Sequence, residues 1–197
     1  MTVNPKAARS TEQSLEANTG EGGQAIHHNT QEVSMSRRAE LLADRIEEGA
    51  AGLAAFAEGL SDAEWNTPIS AGGKDRRTVG VIVHHVANMY PVEIDVARAV
   101  AGGNAITDVT WEAVASMNAG HASENGGVTK AEALELLRKN SKDAAAAVRT
   151  FTDEQLDQAA PFSLSYGAPV TAQFVIEDHA LRHSWHHLAK IRVTLGR

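Results

Sequence analysis

Large apolar residues recur at three- and four-residue steps through four long stretches of this chain, and that period limits the fold more than any other feature. In SMSRRAELLADRIEEGAAGLAAFAEGL, from about Ser34, the apolar positions Leu41, Leu42, Ile46, Leu53, Phe56 and Leu60 are separated by charges. Such a stripe lets a helix bury one face and leave the other in water. A turn-rich stretch, SDAEWNTPISAGGKD, ends this first helix. The second, RRTVGVIVHHVANMYPVEIDVARAVAGG, closes on Gly102-Gly103, as helix C-termini favour. The third opens at a capping box, Thr129-Lys-Ala-Glu132, and continues through ALELLRKNSKDAAAAVRTF. Another box, Thr152-Asp-Glu-Gln155, starts a short turn; a loop at 161–169 follows, and the last helix covers about 171–195. Between the second and third helices, residues 104–128 show no strong period and contain Trp111 with several Gly and Asn. Connections that long are often functional or pack over the bundle.

Four amphipathic segments with one long crossover predict an all-α four-helix bundle. Aromatic residues make up only 5% of the chain, a composition that suits close-packed helices better than a sheet. At 197 residues and 43% apolar content, the chain is sized for one core, which we expect over 35–197. Residues 1–34 are polar and lack sustained periodicity, so they read as a disordered tail with a solvated His27-His28 pair. The formal charge of −7 argues against a nucleic-acid partner. No cysteine is present, which excludes disulfides, thiolate-ligated metal and a cysteine nucleophile. No apolar window reaches the length of a membrane span and no signal-peptide core is evident, so a soluble cytoplasmic protein is expected.

Bundles commonly build metal and ligand sites from inward side chains. Without a P-loop or glycine fingerprint, chemistry has to be sought there, and any metal must be held by His, Asp or Glu. The stretch DHALRHSWHHLAKIR at 178–192 holds four histidines. On a helical wheel with His179 at zero, Ile176, Ile191, Leu195, Leu188, Leu181, Phe174 and Trp185 fill an arc from about 60° to 240°. His187 falls at about 80° and His183 at about 40°, while His179 and His186 lie on the side shared with Lys190. His183 and His187 are four apart, which stacks both rings on one face; His179 and His183 share that spacing and are the competing pair. On the second helix His85 points inward and His84 lies on the polar side. The candidate ligands are therefore His85, His183 and His187. Glu93 also falls in the apolar arc, where a carboxylate needs a partner, and could be a supporting group, a fourth ligand or a catalytic proton acceptor. Pro91 nearby can kink the helix and shift that phase. His121, in the crossover, reads as solvated or packed in a loop.

Three stretches resemble the DinB-like bundles, the DinB/YfiT superfamily of metalloenzymes: TVGVIVHHVA at 78–87, NAGHASENGGVTKAEALELL at 118–137 and HSWHHLAKIR at 183–192. The resemblance covers roughly residues 35–195. It implies a histidine triad at His85, His183 and His187 holding zinc, nickel or a similar divalent ion, often in a dimer. Some members transfer a low-molecular-weight thiol such as mycothiol, bacillithiol or glutathione, and one group isomerises maleylpyruvate with mycothiol. His84, His179 and His186 beside the triad leave room for a shifted ligand set.

Three imidazoles leave a coordination position open, as catalytic sites do. The expectation is thus a metal-dependent enzyme acting on a small molecule, such as a thiol S-transferase or a related hydrolase with Glu93 as base. Imidazole suits iron and copper as well, and manganese stays among the candidate ions. The alternatives are a non-catalytic, stress-related dimeric bundle that binds metal or ligand, and a metal buffer using every histidine of the last helix.

Overall fold

The computed structural model describes residues 36–69 and 77–197, so the polar N-terminal stretch with His27 and His28 lies outside the described residues. Helix α1 (Arg37–Glu58) starts where the Ser36 hydroxyl accepts the Ala39 N–H. Its buried stripe alternates large and small residues, Leu42, Ile46 and Leu53 with Ala39, Ala43, Ala50 and Ala57, and leaves Leu41 exposed. A short helix α2 (Asp62–Trp65), held by a Ser61–Glu64 capping box, buries Trp65, whose indole N–H donates to the Val128 carbonyl. Helix α3 (Val79–Ala101) is capped by Thr78 and ends at Gly102, with Gly103 at φ +76°. The crossover contains a helix that its weak period did not announce, α4 (Trp111–Glu124), in which no residue is buried. Helix α5 (Lys130–Val148) begins at the expected Thr129–Glu132 box, and α6 (Asp153–Asp157) at the Thr152–Gln155 box.

The chain then forms a small antiparallel ribbon, β1 (Ala159–Pro161) with β2 (Pro169–Thr171), with Ala160 opposite Val170. The last long helix follows as α7 (Ala172–Val175), a π-helical turn (Ile176–Leu181) and α8 (Arg182–Leu195). Helix α1 packs on α5 and α8, and α3 packs on α5 and on the last helix, which closes a four-helix bundle around Ile46, Leu53, Ile82, Tyr90, Leu137 and Ile191. Gly49 lets α8 approach α1, since a Cβ there would stand 2.8 Å from Nε1 of Trp185. No helix among the described residues is long and apolar enough to cross a membrane.

Two irregularities set the phase of the inward side chains. Pro91 sits inside α3 and has no N–H to give the Ala87 carbonyl one turn earlier. The buried Asn140 of α5 donates its side-chain N–H to that carbonyl at 2.9 Å. An interior proline ordinarily frees a backbone acceptor; here a neighbouring helix satisfies it, α3 continues, and Glu93 beyond the proline stays buried.

The second irregularity is the π turn, in which the Arg182 N–H reaches back to Glu177. One extra residue in the turn offsets everything before it by about 100° relative to α8. Phe174, inside the arc of a regular wheel, is therefore exposed, while Ala172 and Val175 are fully buried.

Replacing Asn140 with Leu keeps the branched shape of the side chain but strands the Ala87 carbonyl. The variant should lose about 1–3 kcal/mol of stability, read as a lower urea midpoint with an unchanged slope, whereas Lys139→Ala on the exposed flank should change little.

Candidate metal centre

His85 comes from the second turn of α3, and His183 and His187 come from consecutive turns of α8. One ligand atom from each lies within 4.8 Å of the others, and no other such group of three His, Cys, Asp or Glu side chains occurs among the described residues. The rings of His183 and His187 are 4.8 Å apart, and His85 lies 5.0 Å from the first and 5.7 Å from the second. His85 and His187 are buried and His183 is half-buried. His179 does not join them. It stands in the π turn with its ring against Phe162 at 5.9 Å, because the extra residue there breaks its register with His183.

Burial pushes the His85 imidazole down to about 3, with smaller contributions from the His183, His121 and Arg77 charges. Burial likewise pushes His187 down to about 2, followed by the charges of His183 and His85. Both rings are neutral at physiological pH, and a neutral ring keeps the lone pair that a metal needs. Glu93 is 6% exposed, and its Oε1 lies 2.6 Å from Nδ1 of His183. That close approach does not form a hydrogen bond, and His183 Nδ1, His187 Nδ1 and Glu93 Oε2 are all buried without a hydrogen-bond partner. Buried polar atoms are rarely left so. Convergent imidazoles, two of them kept neutral by burial, beside buried polar atoms that lack partners are what a bound cation would satisfy.

A cavity of about 480 Å³ opens beside the three rings. Glu93, Arg77 and Asp178 line it together with His179 and His186, the two histidines that a regular wheel puts at the surface. Helix α4 forms the far wall with Trp111, Val114 and Met117. His84, expected on the polar side, is half-buried, and its Nδ1 lies 2.9 Å from Nε2 of His121. His121 is thus neither solvated nor in a loop: it sits on α4, stacks on His84 and comes within 5.5 Å of the His85 ring. Arg77 and the α4 wall are the parts that sequence reasoning missed. Thr110 followed by Trp111, Val114, Met117 and His121 at steps of three and four was the available signal for α4.

Fold and site together define a helical bundle with a buried histidine cluster between two of its helices. The chain belongs to the DinB superfamily, whose family model matches residues 45–191. It is similar in structure to YfiT from Bacillus subtilis, described as a probable metal-dependent hydrolase with an unusual four-helix bundle topology. That similarity has a TM-score of 0.64 at 23% identity, covers 84% of this chain and 90% of the other, and shows the shared fold. No curated protein matches the chain.

The buried histidines also make stability depend on pH. Their pKa values are lower in the folded than in the unfolded chain, whose value is about 6.5. Their contribution is complete above that pH and is lost as the pH falls toward 3, because the unfolded state takes up protons that the folded state refuses. At pH 5 each group alone should cost roughly 2 kcal/mol. Thermal melts of metal-free protein should show a lower Tm at pH 5 than at pH 7.5, and His187→Leu should reduce the difference.

Proposed function

We propose that this chain is a metal-dependent enzyme in which His85, His183 and His187 hold one divalent ion, zinc or nickel before iron, manganese or copper. The observation that carries the reading is the convergence of three imidazoles from two helices, two of them kept neutral by burial, on the wall of a cavity. A divalent ion held there supplies Lewis acidity to a substrate oxygen or sulfur or to water. The description of YfiT as a probable metal-dependent hydrolase supports hydrolysis as the reaction class.

The chain's own residues have separate tasks. Glu93 stands against His183 with Oε1 2.6 Å from Nδ1, close enough to form the carboxylate–histidine bond that orients a metal ligand once the ring turns toward it, and its unpartnered Oε2 on the cavity wall accepts a proton from the attacking group. Arg77, whose positive charge is felt at both His85 and His187, favours anionic species at the centre. That charge also supports a second reading, transfer to a low-molecular-weight thiol, because it stabilises a thiolate over a thiol.

Elemental analysis of the purified chain should find one divalent ion per polypeptide, lost in His183→Ala and His187→Ala; several ions per chain would favour a metal buffer instead. Titrating stripped protein with zinc should raise Tm in the parent and leave the His187→Ala variant unmoved. With ester and electrophile panels assayed with and without added thiol, Glu93→Gln should lower kcat by roughly 100-fold or more while metal is retained. Metal-loaded protein that turned over nothing in either panel would return the chain to a non-catalytic binding role.

A further inference from the structure

The triad draws its ligands from two helices, so its geometry depends on how α8 is registered on α3 as well as on the step within each helix. Metal ligands must stand within about 0.2 Å of their proper distances. Apolar packing has no preferred direction and does not by itself stop a slide of that size. Register is least assured at this level of both helices. Helix α3 passes through Pro91, and the π turn ends at Leu181, directly before α8, whose N-terminus has no side-chain cap.

A buried polar contact joins the two helices at that level. The Tyr90 hydroxyl and Oγ of Ser184 lie 2.7 Å apart. Tyr90 directly precedes Pro91, and Ser184 is the third residue of α8. Along α3, Tyr90 stands between His85 and Glu93; along α8, Ser184 stands between His183 and His187. Both residues are 0% exposed, and Tyr90 is the largest side chain fully buried among the described residues. With water excluded, each hydroxyl depends on the other, and removing one strands its partner. Burial also raises the phenol above its ordinary range, which keeps it a neutral hydroxyl. Neither residue lines the cavity, so the pair does not act on a substrate directly. What it has is a narrow range of length and angle, which apolar contacts lack.

We propose that the Tyr90–Ser184 hydrogen bond sets the register of the metal centre: it fixes where α8 stands along α3, and through that the placement of His183 and His187 against His85. Tyr90 and Ser184 are positioning residues that act through the ligands beside them. The inference rests on the reading of the triad as a metal site and deepens it.

The test uses the full chain with Tyr90→Phe, Ser184→Ala and the double variant, each substitution removing a single oxygen from the core. Zinc affinity is read by competition with a chromogenic chelator, and ligand geometry by the visible absorption of cobalt-loaded protein. Each single variant should bind zinc roughly tenfold more weakly and shift the cobalt bands. The double variant should be no worse than either single one, because both lose the same bond. Ile46→Val, in the core on α1, should lower the urea midpoint and leave zinc affinity and the cobalt bands in place, which separates register from general stability. Zinc affinity and cobalt bands unchanged in both single variants would overturn the proposal. So would losses that add in the double variant, since the two residues would then act apart. Those outcomes leave the triad standing, because the parent still takes up zinc. A parent chain that bound no zinc would instead remove the metal centre and this proposal together.

Discussion

The centre of this protein depends on α3 running unbroken through a proline. His85 lies before Pro91 and Glu93 after it, and both must face the same interior. A proline inside a helix removes a donor and ordinarily kinks or breaks the rod, at about 3 kcal/mol or more. The side-chain amide of Asn140 replaces the missing bond to Ala87, which ties α5 to α3 at the turn where continuity is most at risk. The contact between Glu93 and His183 is possible because that turn holds.

Burial does the rest of the chemistry. An imidazole removed from water becomes harder to protonate, since the charged form loses more solvation than the neutral one. Packing α3 against the last helix thus converts His85 and His187 from groups that titrate near neutrality into standing electron-pair donors. The same burial costs stability in acid, so the centre is coupled to the core around it. Glu93 and Arg77 then set the charge balance on the cavity wall, one beside His183 and the other through its field at His85 and His187.

Much of this was legible in the sequence. The three- and four-residue period gave the bundle, the two capping boxes marked real helix starts, and helical phase singled out His85, His183, His187 and Glu93 as inward. These succeed because a helix has a fixed angular step, so that local spacing reports which face a residue occupies. Spacing no longer reports the face where the step changes. A π turn cannot be read from residue types, and it moves Phe174 outward and takes His179 out of register with His183. Helix α4 escaped because its apolar residues face a cavity rather than the core, which leaves only a weak period.

The sequence by itself therefore determined the fold class and the set of side chains that turn inward, since both follow from spacing along one helix. Tertiary structure alone decided the rest: that Asn140 caps Ala87, that Glu93 meets His183, that Arg77 and His121 stand near the triad, and that α4 walls the cavity. Each of those joins residues far apart in the chain, and no local period fixes the distance between two helices. It is set by how close their packed side chains allow them to come, as where Gly49 admits the indole of Trp185.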